Sequence, residues 1–339
     1  MTYIEGRSSA PGAAVERASG QAPRAGTPAL ASSLRTSDLR GAEFVRAIRE
    51  TSQRLVVLDN AYGGTPIAEP AAHAFKVVHA RLRGGDYEPA YEREIRSAAA
   101  ELAEVAGWAL FDAEKHDAAE RYNAAALSLA RASGDRAMEL LISQNVAMVT
   151  EWRGRYREGL ETVAGALAER LSARVRAMLL IRDAKGRFGM GDASGGVRAF
   201  DRARALLDDG AREDDPAWAW WVSRQEIDGQ HGFALWAAGR HREAVTHLRR
   251  ALPADSAHAG YRGISGARLL DSLLRVGAWR EAEELAVGLH DTAGETASAR
   301  TRNLLLATVR RDLPTAPTST GHALEHLGGL VSADPLRLD

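Results

Sequence analysis

Along the first periodic stretch, Leu39, Phe44, Ile48, Leu55 and Leu58 recur at helical three-to-four steps or their multiples. Onward from there, Ala, Leu, Arg and Glu dominate where strands would favour β-branched residues, and no alternating pattern competes. The periodic runs stop at Gly63-Gly64, Gly84-Gly85, Gly134-Asp135, Gly239 and Gly277, residue types that tolerate the left-handed backbone of a helix end. The pattern predicts an all-α chain of short helices joined by tight turns.

A set of small residues then repeats. Gly232, Leu235, Gly239, His241, Ala244, Leu248 and Ala251 put small side chains where two antiparallel helices must touch. Gly107, Leu110, His116, Ala119 and Ala126 match this set, as do Ala147, Gly154, Tyr156, Gly159 and Ala166, and then Ala184, Gly191, Ala193, Gly196 and Ala203. A weaker fifth copy has Leu270, Leu273, Gly277, Trp279 and Ala282. The set resembles the tetratricopeptide consensus, which implies a superhelical array of antiparallel helical hairpins. The lead positions 107, 147, 184, 232 and 270 lie 40, 37, 48 and 38 residues apart, all longer than the ideal period of about 34. The longest gap holds Asp208-Asp209-Gly210 and Asp214-Asp215-Pro216, an insert expected to loop out, with Pro216 opening a helix behind an Asp cap.

Composition narrows the class. A chain of 339 residues, 45% hydrophobic, can fill one extended array or about two ordinary domains. Lys and Arg total 44 against 45 Asp and Glu, so a net charge of -1 gives no electrostatic reason to expect nucleic acid or an anionic membrane as partner. Absence of Cys excludes disulfides, thiolate metal sites and a cysteine nucleophile. No apolar run suits a membrane span or a secretory signal, so a cytoplasmic protein is expected. Residues 1–37 read as a flexible tail because their Ser, Ala, Pro and Gly offer little apolar area to offset ordering. Residues 38–313 read as the helical array, and 314–339 as a C-terminal tail with room for a short helix.

The words LVVLDNAYGG (55–64), EVAGWALFDAEKHDAAERYNAAALSLA (104–130), MELLISQNVAM (138–148) and DDPAWAWW (214–221) carry a narrower likeness. Together they resemble the C-terminal sensor region that follows the helix-turn-helix head in many actinomycete transcriptional regulators, over residues 38–313. The resemblance implies ligand sensing. A DNA-binding head precedes that region in such regulators, and residues 1–37 hold no amphipathic helix pair, so direct nucleic-acid binding is not expected.

Chemical motifs are few. GxxxxGK[ST], GxGxxG after a strand, GxSxG and HExxH are all missing. His322-Ala323-Leu324-Glu325-His326 spells HxxEH, and two His at i and i+4 can share a metal on one helix face. A third ligand is not evident, so neither metal nor cofactor is expected. Gly186, Gly189 and Gly191 read as turn punctuation.

The candidate site is the concave groove, lined in such arrays by the first helix of each hairpin. Hairpin one offers Glu104 and Trp108, with Phe111 and Asp112 a turn further on; hairpin two offers Gln144 and Met148, beside Asn145 and Glu151. Hairpin three offers Lys185 and Phe188 with Arg182, hairpin four Phe233 and Trp236 beside Gln230, and hairpin five Asp271 beside Arg268. Amides and charges alternate there with aromatics, the usual make-up of a binding cleft. The same aromatics can equally pack between hairpins, as can Trp218, Trp220 and Trp221. Two functions fit: a peptide-, protein- or small-molecule-binding module with a regulatory or scaffolding role, or a pathway enzyme using Glu104, Asp112, Glu151 or His231 as acid-base groups.

Overall fold

A computed structural model describes residue 34 and residues 38–207, 214–252, 259–293 and 297–332. Every long element among them is an α-helix: α1 (Ala42–Tyr62), α2 (Thr65–Gly84), α3 (Glu92–Asp112), α4 (His116–Ser133), α5 (Arg136–Trp152), α6 (Tyr156–Leu167) and α7 (Ala173–Gly189). There follow α8 (Ala193–Ala205), α9 (Arg224–Ala237), α10 (His241–Ala251), α11 (Ala259–Arg275), α12 (Trp279–Ala293), α13 (Ala299–Asp312) and α14 (Thr318–Ser332). Short 3₁₀ turns join some of them. No described helix is long and apolar enough to cross a membrane.

Local chemistry sets the helix ends. Asp135 starts α5 by accepting from Met138 N at 3.1 Å, and Ser223 starts α9 by accepting from Glu226 N at 3.1 Å. Gly239 ends α9 with φ +73°, which lets Arg240 N reach back to Leu235 O at 2.9 Å. Asp215 also acts at a distance: its Oδ1 accepts from Arg174 N at 2.9 Å, at the start of α7 and 41 residues away.

Consecutive helices pack in pairs where the repeated small residues fall. A Cβ on Gly107 would lie 2.5 Å from Asn123 Oδ1, and one on Gly232 would lie 2.6 Å from Leu248 Cγ. The crossings α3 on α4 and α9 on α10 therefore need glycine. Positions 147 with 159 and 184 with 196 meet in the same way, since a Cβ on Gly159 or Gly196 would stand 3.4 Å and 3.0 Å from the Ala147 and Ala184 carbonyl oxygens. Gly186 and Gly189 correct the turn reading: both lie within α7, where Gly186 faces Leu160 of α6, and only Gly191 is in the turn with φ +85°.

Alternate helices also touch. α1, α3, α5, α7, α9, α11 and α13 pack each on the next, and α11 returns to α1, so the succession closes on itself. Accordingly α3 is buried on nearly all sides, whereas α4 buries one stripe through Ala119, Asn123, Ala126 and Ala130. Residues 318–332 form α14, whose Leu324 and Leu327 are fully buried against the helices before it. The expected tail 1–37 lies outside the described residues apart from Leu34, which is buried beside the Arg81 guanidinium bound to its carbonyl. Residues 208–213 of the insert lie outside them too. Trp218 beyond it is 2% exposed and packs in the core.

The α9–α10 crossing gives a direct test. Gly232→Val should lower stability by about 1–3 kcal/mol, since the new side chain meets Leu248 and its backbone N at 3.1 Å. An unchanged urea midpoint would show that the crossing does not depend on glycine.

Candidate functional site

The site residues fall into three connected groups on the facing sides of alternate helices. The first lies on α3 and α5. Asn145 Nδ2 donates to Glu104 Oε1 at 2.9 Å, and Gln144 Nε2 donates to Asn145 Oδ1, with all three side chains buried. Close by in sequence, buried Glu101 of α3 faces Arg49 of α1 at 3.7 Å, and its Oε2 has no hydrogen-bond donor.

The second group runs from α5 to α11. Glu151 of α5 lies 3.5 Å from Arg182 and 3.7 Å from Lys185 of α7, and Lys185 Nζ donates to Gln230 Oε1 of α9 at 3.1 Å. Gln230 Nε2 in turn donates to Glu226 Oε1 at 2.8 Å. The guanidinium of Arg268, on α11, sits 3.6 Å from the Phe233 ring centroid, and Lys185 Nζ sits 4.1 Å from the same ring. Burial raises the Glu151 and Glu226 carboxyls. Burial, with Arg182 nearby, drives Lys185 well below its usual range, and burial with Arg300 lowers Arg268 to about 9.

An aromatic chain and three carboxylates make the third group. Trp108 and Phe111 of α3, Trp152 of α5, and Phe233 and Trp236 of α9 follow one another at centroid spacings of 5.6–6.1 Å. Arg300 of α13 lies 5.3 Å from Trp108, 4.5 Å from Phe111 and 5.9 Å from Trp152. Its guanidinium donates to Asp112 Oδ1 at 2.7 Å, with both side chains under 10% exposed. Asp112 also accepts from Ser298 Oγ at 2.8 Å and Gly64 N at 3.0 Å. Trp108 Nε1 donates to Asp59 of α1, and Trp236 Nε1 to Asp271 of α11, which also accepts from Thr308 and Arg311 of α13. Met148 of α5 is only partly buried.

Thus the candidate residues share one face, but most are already paired with each other. Several participants were not among the residues expected from the sequence. Glu226 sits four residues before Gln230, and Trp152 directly follows Glu151, so helical spacing could have found both. Glu101, three residues before Glu104, was within reach in the same way. Arg300 and Ser298 follow the fifth repeat and had no local signal. Among the acid-base candidates, His231 is stacked between Phe200 at 4.4 Å and His247 at 4.0 Å, and burial lowers it to about 3. His322, Glu325 and His326 lie on α14, with His326 beside His290, and no described group of three or more His, Asp or Glu has the arrangement to hold a metal.

Two measurements follow. Asp112→Ala should cost about 3–5 kcal/mol in urea denaturation, because Arg300 is left buried without its counter-charge; a midpoint unmoved by the change would remove Asp112 as a tie. Burial raises Glu101 from 4.5 to about 7 against the pull of Arg49. The folded chain therefore holds this proton more tightly than the unfolded chain, adding stability that is complete below pH 4.5 and lost as pH rises through 7. Glu101→Gln should flatten the melting temperature over that window, and identical pH profiles would refute the shift. Comparison with protein-family models and with curated proteins gives no match to this chain.

Proposed function

We propose that this chain is a ligand-binding protein of tetratricopeptide-like, superhelical design with a regulatory or scaffolding role. The reading is supported by helices that pack in consecutive pairs at the repeated small residues. Its ligand, a peptide, a segment of a partner protein or a small molecule, meets the facing sides of α3, α5, α7, α9 and α11 in the cytoplasm. The observation that carries this reading is the run of charged and amide side chains at dry positions on those helices: Glu104, Asn145, Glu151, Arg182 and Arg268. Stability alone does not call for them. Desolvating each ion costs several kcal/mol, and apolar replacements of similar volume are often neutral or stabilising. Moreover Glu151 Oε1, Arg182 Nε and Arg268 Nε have no hydrogen-bond partner, whereas buried polar atoms are normally paired.

Binding is favoured over acid-base catalysis by the same geometry. Asp112 is committed to Gly64, Ser298 and Arg300, and His231 is held far below the range of a general base at neutral pH. Native mass spectrometry of the purified chain, before and after incubation with a cell extract, tests the reading. A ligand mass that disappears on denaturation, and is diminished in Asn145→Ala, is expected. A chain that neither carries nor acquires any mass, and whose melting temperature the extract leaves unmoved, would sink it.

A further inference from the structure

We infer that the ligand of this face is an organic carboxylate, received by Arg182 and Lys185 of α7 and Arg268 of α11, with its apolar part against Phe233 and Trp236. This rests on the ligand-binding reading above and names the chemistry of that same site.

Charge balance comes first. Three cations, Arg182, Lys185 and Arg268, face two carboxylates, Glu151 of α5 and Glu226 of α9. The next cation, Arg300, is taken by Asp112. With all five groups ionised, one positive charge is left over, which a monoanion matches and a phosphate dianion exceeds. Hydrogen bonding points the same way. Arg182 and Lys185 approach Glu151 only to 3.5 and 3.7 Å, longer than the roughly 2.7–2.9 Å of a direct charged bond. The Nε atoms of Arg182 and Arg268, residues 2% and 4% exposed, have no acceptor. Planar guanidinium groups match a carboxylate by two parallel bonds, a fit that a neutral amide lacks.

Shape supplies the rest. The Arg268 guanidinium is covered by Phe233 at 3.6 Å and flanked by Trp236 at 5.9 Å, and both rings are partly exposed while the cation is not. An acid bound here would set its apolar part against these rings and its carboxylate toward the cations. Gln230, between Lys185 and Glu226, offers an amide that can turn from the lysine to the incoming group. Anion binding would also favour the charged form of Lys185, which burial and Arg182 now oppose.

Thermal shift and calorimetry with benzoate, phenylacetate, hexanoate and N-acetylphenylalanine, each beside its own carboxamide, test the assignment. At least one acid should raise the melting temperature by about 2 °C or more at millimolar concentration, and its amide should not. The response should vanish in Arg268→Met and Lys185→Met while helical circular dichroism is kept, and should persist in Arg249→Met, whose arginine is exposed and paired with Glu281. Equal shifts by acid and amide, no shift by any acid, or a shift that survives both variants overturns the assignment. Should either variant fail to fold, the acid-against-amide comparison on the unsubstituted protein decides alone. If native mass spectrometry shows a neutral or cationic ligand instead, the carboxylate assignment fails while the binding reading stands; if no ligand is carried or acquired at all, both fail.

Discussion

Asp112, under 10% exposed, accepts four hydrogen bonds from two parts of the chain that lie far apart in sequence. The Gly64 N–H fixes the turn between α1 and α2, and Ser298 and Arg300 fix the entry to α13. Two further bonds reinforce the seam, from Ala297 N to Tyr62 O at 3.1 Å and from Ala299 N to Thr65 Oγ1 at 3.0 Å. Together with the packing of α11 on α1, this tie holds the last helices against the first, in a succession where each pair otherwise contacts mainly its neighbours.

Closure explains the electrostatics of the facing side. In an open array the first helices would present their polar residues to water, and Glu151 or Lys185 would keep its ordinary proton affinity. Closed, the same positions are dry, so carboxyls there rise, amines fall, and Arg268 drops to about 9. The aromatic chain from Trp108 to Trp236 takes part in the sealing, with Arg300 against three of its rings. The recognition proposed for this face would draw on the same side chains as stability, so substitutions there must separate folding from binding.

The sequence made the pairwise packing legible because helix crossings impose a demand on single residues: Gly107 and Gly232 have no room for a side chain beside Asn123 and Leu248. Helical period also placed Glu104, Asn145, Arg182 and Gln230 on the first helices of their pairs, α3, α5, α7 and α9. It did not tell what lies opposite, since that depends on contacts between residues far apart in the chain. Gly186 and Gly189 were misread for a related reason: a glycine that admits a neighbouring helix and a glycine that permits a turn look alike in one dimension. The sequence left room for a short helix in the C-terminal tail, but the burial of α14 depends on α12 and α13, which local pattern does not show.

The distance between Asp112 and its partners along the chain bears on how the protein is made. Ser298 and Arg300 follow Asp112 by 186 and 188 residues, so at ribosomal rates of about 5–20 residues per second the aspartate emerges roughly 10–40 s before them. During that interval α3 and its neighbours can pair locally, with a bare carboxylate and the open rings of Trp108, Phe111 and Trp152 on a surface that will later be covered. The nascent chain thus passes through a long-lived stage with an exposed aromatic and acidic face, and holding that face apart from other chains until residue 300 arrives is a task for the cell as much as for the sequence.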